Sequence, residues 1–359
     1  MDITGRRFTR ERGRIRVLDD FWERIDRVFG ELDDARKRDR SFADALRHIK
    51  SIHADDRRLA VQYVEGFHAA DTGVISEQAL AEGGSPRDDV RERRIGRVID
   101  GFQRVVDAMA APILDRIQLG AVAKRVRWRR GGVDIESETQ TGEPLPAMSA
   151  RAVVVAIPVS LLQSDAIAFD PPLSDKQLAR GELVMGNVMR VALEFDEPFW
   201  IDRTFAKRLG DERLDTMSFF HGDRTPFSVW WTTYPVKSPL LVGWCGGPNS
   251  LMLAGKAHDD IVSSAMGSLA KLLRVSRSTL NKRLKAGYMH DWISDPFSRG
   301  AYSYVAVNGG SASKRLTKPI ESTIFLAGEH VDEEGRNGTV HGAIASGQEA
   351  AERIVAILQ

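Results

Sequence analysis

The sequence predicts a mixed α/β (α+β) protein of more than one domain. Three observations carry that expectation. A chain of 359 residues is long enough for two domains and a large core. Short apolar or alternating runs of strand length are interspersed with amphipathic helical segments along the chain. Near the C-terminus, Thr323-Ile-Phe-Leu-Ala-Gly-Glu-His330 reads as a buried strand with a tight exit. It is followed at Gly338-Thr-Val-His-Gly-Ala-Ile-Ala-Ser-Gly347 by the start of a small-residue helix.

Taken in order, residues 1 to about 80 read as helical and heavily charged. Phe21, Ile25, Val28 and Phe29 fall on one face of a helix. Ser41-Phe-Ala-Asp44 reads as a helix start, with Ser41 as cap and Asp44 at the third position. Glu82-Gly-Gly-Ser-Pro86 reads as a loop and a boundary. An amphipathic helix is expected over Arg97–Ala110, two short strands over Ile117–Trp128, and a hairpin continuing at Val133-Asp-Ile-Glu136 after Gly131-Gly132. Ala152-Val-Val-Val-Ala-Ile-Pro158 is a buried strand stopped by proline.

Asn187–Phe195 alternates like a half-buried strand. Phe227–Tyr234 and Leu240–Gly247 read as neighbouring antiparallel strands. Asp259–Leu273 is a helix with Ile261, Ala265, Leu269 and Leu272 on one side. The tryptophans Trp230, Trp231 and Trp244 point first to sheet packing. The C-terminal run Ile324–Ala327 suits a strand covered on both faces. Gly328 permits a close turn, Glu329 offers acceptors for ligand hydroxyls, and Thr339 is placed to cap a helix whose free N–H groups favour an electron-rich ligand atom.

Composition excludes several classes. Hydrophobic content of 42% and charged content of 28% are those of a globular protein, and a net charge of +1 gives no sign of a nucleic-acid partner. The single cysteine, Cys245, rules out an internal disulfide and fits a reducing, cytoplasmic setting. No run is long and apolar enough for a membrane span. Scattered histidines and one cysteine support no metal site, and no G-x-S-x-G elbow occurs.

The pattern from Thr323 to Gly347 closely resembles the C-terminal flavin-binding motif of the FAD-dependent amine oxidase family, which includes monoamine oxidases, polyamine oxidases and the histone lysine demethylases built on the same fold. The ending Thr339-Val-His-Gly-Ala343 is most similar to the polyamine oxidase and demethylase branches. The resemblance extends in order over nearly the whole chain. It implies an FAD-binding Rossmann-like domain, visited by residues 81–162 and 300–359. It also implies a substrate domain, formed by a helical part over residues 1–80 and a mixed β-sheet flanked by helices over residues 163–299.

That FAD-binding domain is expected to be incomplete. The family opens with a strand, a G-x-G-x-x-G turn that cradles the pyrophosphate, and a helix. No such motif occurs in this sequence. Three explanations fit: a truncated or mis-started gene product, a separate polypeptide supplying the missing unit, or a degenerate relative with another role.

The resemblance also implies the site. The amine substrate loses a hydride from its α-carbon to flavin N5, and dioxygen is the acceptor in the oxidases. Tyr302 matches the aromatic that stands before the flavin ring. Ala301 stands where monoamine oxidases carry the cysteine that bonds the flavin, so the FAD is expected to be noncovalent. Thr339 replaces the second cage tyrosine. Arg190 replaces a lysine that holds a water against N5; an arginine fork could favour another acceptor, slower oxidation or an acidic substrate, or could be a strand arginine paired with a surface carboxylate. Val122 is expected to meet the adenine edge through its backbone, and Trp292 to lie near the flavin. Gly328, Glu329, Thr339, Val340 and Ala343 fall on the C-terminal motif. Two competing readings are a flavoprotein desaturase or porphyrinogen-oxidase-like enzyme, and a flavin-free remnant acting as partner subunit.

Overall fold

A computed structural model describes residues 5–11, 14–83, 98, 100–210, 214–222, 225–332 and 334–358. The loop expected at Glu82–Pro86 lies outside these from residue 84, as does the start of the helix expected at Arg97. The chain divides into two compact units, one comprising Met1–Arg91 and Gly181–Ala312, the other Glu92–Arg180 and Ser313–Gln359.

The chain begins with strands β1 (Arg6–Glu11) and β2 (Arg14–Val17), then helices α1 (Phe21–Phe29), α2 (Phe42–His48), α3 (Ala54–Phe67) and α4 (Glu77–Glu82). Helix α5 (Gln103–Ala110) leads to β3 (Val122–Arg129), β4 (Gly132–Glu138), β5 (Met148–Ala150), β6 (Val153–Val155) and β7 (Ala168–Asp170). Next come β8 (Leu183–Met185), β9 (Val188–Phe195), β10 (Met217–His221), β11 (Val229–Trp231) and β12 (Leu240–Gly246). Helix α6 (His258–Leu273), β13 (Leu284–Met289), β14 (Ser303–Val305), β15 (Ile324–Leu326) and α7 (Val340–Leu358) complete the elements used below.

The first unit is built on a seven-stranded mixed sheet in the order β13-β9-β12-β11-β10-β1-β2. Its strands alternate as half-buried strands should. On β9, Met189, Val191, Leu193 and Phe195 are at most 1% exposed and face the core, while Arg190 projects from the other side. Helix α6 lays Ile261, Ala265, Met266 and Leu269 into the same core. The second apolar cluster is helical: α1 buries Phe21, Ile25, Val28 and Phe29, the four positions its periodicity marks. Ser41 caps α2 by accepting the Asp44 N–H at 3.2 Å. Asp56 is buried between Arg24 and Arg27.

One expectation is corrected here. Arg6–Glu11 and Arg14–Val17 are paired antiparallel strands, with β1 also pairing parallel to β10, and are not helical. The hydrophobic signal is thin because only Phe8 and Ile15 are buried on a run otherwise rich in arginine. The segment expected as two strands over Ile117–Trp128 is one strand, β3.

The second unit holds a four-stranded sheet in the order β5-β4-β3-β7 and a two-stranded parallel pair, β15-β6. Ile324, Phe325, Leu326 and Ala327 are at most 5% exposed, as a strand covered on both faces requires. The unit boundaries differ from those expected. Strand β7 pairs with β3, which keeps residues up to 180 in the second unit. Strand β14 pairs with β8, which places Tyr302 in the first.

Candidate functional site

In the first unit the predicted residues Arg190 and Tyr302 sit around the C-terminal end of α3. The carbonyls there have no further helical turn to accept from, and aromatic donors take two of them. Trp244 Nε1–H donates to Gly66 O at 2.8 Å, and the Tyr302 hydroxyl donates to Phe67 O at 2.6 Å. Beyond the helix the chain turns through Ala69, with φ of 53°. Ala69 O accepts from Asn187 N–H at 3.2 Å, and Gly186 N–H donates to Tyr302 O at 2.8 Å. Gly186 is required by close approach: a Cβ there would stand 2.8 Å from both Ala69 O and Tyr302 O.

Arg190 lies directly across from Trp244 in the β9–β12 ladder, so the two share the sheet face turned away from the core. Its side chain keeps solvent contact, yet partial desolvation lowers the guanidinium pKa. No carboxylate among the described residues lies within ion-pairing distance of it, so the surface-paired alternative is not what the fold makes. Across the same face the Trp244 and Trp231 rings are 5.5 Å apart, and Trp231 and Phe219 are 6.2 Å apart. At the far end the Arg7 guanidinium stacks 4.4 Å from the Phe219 ring, and burial pushes its pKa down to about 10. Trp230 points the other way and is 1% exposed, so packing alone describes it. Trp231 and Trp244 are half-buried on the opposite face.

Sequence reasoning passed over three neighbours in Glu65-Gly-Phe-His68. Glu65 is half-buried, and desolvation, reinforced by Asp71, raises its pKa. His68 is wedged edge-on against Tyr63 and Phe67, with ring centroids at 5.6 and 5.4 Å. Its buried Nε2 has no hydrogen-bond partner among the described residues, and burial pushes its pKa down to about 4. Phe67 is 63% exposed. Their mixed polarity gives no periodic signal. Trp292 is 48% exposed, with its ring 4.2 Å from that of His290.

In the second unit, β15 exits through Gly328, whose N–H donates to Ser346 Oγ on α7 at 2.9 Å. Glu329 Oε2 accepts the Gly338 N–H at 3.0 Å, closing the loop between strand and helix. Asp332, fully buried in its side chain, braces that loop by accepting from Arg336 Nε at 2.8 Å. Thr339 is the cap expected of it: Oγ1 accepts the Gly342 N–H at 3.0 Å and donates to Arg336 O at 2.6 Å. Gly342 admits this turn because a Cβ would meet Arg336 O at 2.5 Å. The N–H groups of Val340 and His341, both exposed, make no hydrogen bond among the described residues. Ala343 follows on the same first turn of α7. Val122 opens β3 on the other sheet of this unit.

These residues fit part of a dinucleotide cofactor. The open first turn of a 19-residue helix, with a carboxylate fixing its loop, presents donors to an electron-rich ligand group. His330, 1% exposed beside Gly328, adds a neutral imidazole whose two nitrogens lack partners among the described residues; burial pushes its pKa down to about 4. The glycine turn that would cradle a diphosphate is not in the sequence.

The profile of the family described as flavin-containing amine oxidoreductase matches residues 17–355. Lysine-specific histone demethylase 1 homolog 3 of Arabidopsis thaliana is 33% identical over 210 residues, which are 58% of this chain and 12% of the relative. Polyamine oxidase 4 of Oryza sativa subsp. japonica is 25% identical over 314 residues, 85% of this chain and 58% of the relative. The chain spans 12%, 28% and 30% of the first three curated relatives it matches. Among solved structures, putrescine oxidase bound to putrescine superposes with a TM-score of 0.75 at 21% identity, over 98% of this chain and 81% of that one. Cyclohexylamine oxidase from Brevibacterium oxydans IH-35A gives 0.73 at 17% identity, over 99% and 81%. Those likenesses establish the fold, mixed α/β as expected. The chain belongs to the family of flavin-containing amine oxidoreductases, whose cofactor is FAD.

Proposed function

We propose that this protein is an FAD-dependent oxidoreductase that oxidises an amine to an imine, with dioxygen as acceptor. The observation that carries this reading is the family match across residues 17–355, which spans both units. When bound, the flavin supplies a two-electron acceptor for the C–H bond beside the amine nitrogen. The chain's own residues do the rest. Gly328, Glu329, Thr339, Val340 and Ala343 would hold the cofactor by the strand exit and the open turn of α7, with the Val122 backbone at its adenine end. Ala301 leaves no thiol for a covalent bond, so the FAD is noncovalent. Tyr302 would supply aromatic surface to the substrate and Trp292 would lie near the flavin, and a desolvated aromatic site favours the free base over the ammonium. A glycine-rich strand–turn–helix unit outside the given residues would hold the diphosphate.

The test is to purify residues 1–359, record visible absorbance with and without added FAD, and assay peroxide release over a panel of primary and secondary amines. A bound-flavin spectrum with amine-dependent peroxide is the expected result. Flavin binding without turnover of any amine would overturn the amine reading. Failure to bind flavin, alone or with a glycine-turn unit from a related flavoprotein added in trans, would favour the second reading, a flavin-free partner subunit. The absent glycine turn is the observation behind that alternative.

A further inference from the structure

We propose that the amine substrate carries a carboxylate, and that Arg190 is the residue that reads it, with Trp244 and Trp231 lying under the substrate's apolar body. The inference rests on the amine-oxidising reading and names its substrate class.

The first reason is charge that the fold leaves unmatched. Some arginines of this unit are paired with carboxylates, Arg24 and Arg27 with Asp56, Arg40 with Glu77 and Arg283 with Glu197, while Arg7 stacks on rings and Arg57 donates to backbone carbonyls. Arg190 has no such partner among the described residues. Glu194, four residues along β9 on the same face, accepts instead from the Tyr288 hydroxyl at 2.7 Å. A solvent-exposed guanidinium that no carboxylate of the fold occupies has its fork open to a ligand anion. Its planar fork matches a carboxylate with two parallel hydrogen bonds, which a lysine cannot do.

The second reason is the surface beside it. Trp244 is held in place by its hydrogen bond to Gly66 O, and Trp231 tilts against it at 5.5 Å. Two fixed, half-buried indoles next to an unpaired arginine form a platform for an apolar chain or ring ending in an anion. The third reason is the opposite polarity at the end of β12. There Gly246 and Gly247 pack against Glu65 and the C-terminus of α3. The negative end of the helix dipole and a carboxylate with no basic partner among the described residues favour a cation. Trp244 and Gly247 are three residues apart on the chain, about 10 Å in extended backbone. An amine bearing a carboxylate therefore finds both its charges complemented on one unit.

The probes are 3-phenylpropionate and its neutral isostere 3-phenylpropanamide, titrated calorimetrically into the purified 359-residue protein. The readout is binding, so it needs no turnover. We expect the acid to bind at least about tenfold more tightly than the amide, and Arg190→Gln to abolish that preference. That factor corresponds to ~1.4 kcal/mol. Arg190→Lys, which keeps the charge, should restore part of it, and Glu194→Gln should leave it intact. Equal binding of acid and amide, no binding of the acid, or a preference that survives Arg190→Gln would overturn the proposal. Should Arg190→Gln fail to fold, an acid preference undiminished in Arg190→Lys would overturn it too, because the lysine lacks the fork. Retained acid preference with no oxidation of any amine would instead count against the reaction and leave the carboxylate site standing.

Discussion

Trp244 stands directly across from Arg190 in an antiparallel ladder, with its indole fixed to the end of helix α3 by a 2.8 Å hydrogen bond to Gly66. This one pairing joins the sheet, the helical layer and an unmatched positive charge. It also places Arg190 within the same local frame as Tyr302, whose hydroxyl binds the neighbouring carbonyl of Phe67.

The Tyr302 hydroxyl should be structural and its ring functional. Tyr302→Phe removes one hydrogen bond and is expected to lower stability by about 0.5–1.5 kcal/mol, with little change in amine turnover. Tyr302→Ala should lose turnover as well. Denaturant titration and peroxide release measured side by side separate the two; equal activity in Phe and Ala variants would remove the ring from the site.

Glu329 pins Gly338 and so sets the approach of the loop to α7. Glu329→Ala should weaken flavin binding, and it should also loosen the loop by about 0.5–1.5 kcal/mol, because the Gly338 N–H loses its side-chain acceptor and keeps only the Glu329 carbonyl at 3.1 Å. Thr339→Ala removes the helix cap at about 1 kcal/mol, whereas Thr339→Ser retains it. FAD affinity and hydrogen exchange at Gly338 and Gly342 are the measurements. Unchanged flavin affinity in Glu329→Ala would exclude Glu329 from the site.

Asp56 is paired with two arginines in the helical layer. Burial opposes its charge, but hydrogen bonds from Arg24 and Arg27 prevail and hold its pKa below the usual carboxylate value. A carboxylate with a depressed folded pKa stabilises the fold above its unfolded pKa of about 3.9, and loses that contribution as pH falls through the folded value. Asp56→Asn should destabilise the protein by roughly 3 kcal/mol near neutrality. The difference from wild type should shrink below about pH 4; a pH-independent difference would contradict the assignment.

Three desolvated imidazoles give a window of the same sign at milder pH. Desolvation lowers the pKa of His68 and His330 to about 4 and of His221, with help from Arg7, to about 3. Between these values and about 6.5 the unfolded chain binds protons that the folded one refuses, so stability rises with pH across that interval and levels off above it. With three such groups the slope approaches about 4 kcal/mol per pH unit at its steepest. Urea midpoints recorded from pH 5 to 8 should fall steeply below about 6.5. A flat profile would show that these rings are not buried neutral.

Much of the fold follows from sequence alone because local chemistry repeats at the period of the element. The four apolar positions of α1, the alternation of β9 and the apolar run of β15 each bury the faces their spacing marks. Ser41 and Thr339 cap the helices they precede. The paired strands β1 and β2 escape such reading, since two buried apolar side chains among arginines give no period until β10 is there to pair with. Arg190 was legible as a strand residue of interest, but its lack of a partner was not. Pairing depends on which carboxylates the register brings across, and Glu194 is drawn off by Tyr288 from another strand. The same holds for His68: its composition says nothing, and only the packing of Tyr63 and Phe67 shuts its Nε2 away from water and lowers its pKa. The sequence by itself determined α1, β9, β15, the caps at Ser41 and Thr339 and the flavin-type C-terminal turn, which are set by neighbours within a few residues. The tertiary structure decided which charges are matched and which rings stay open to a ligand, because strand register and helix packing join residues that are far apart along the chain.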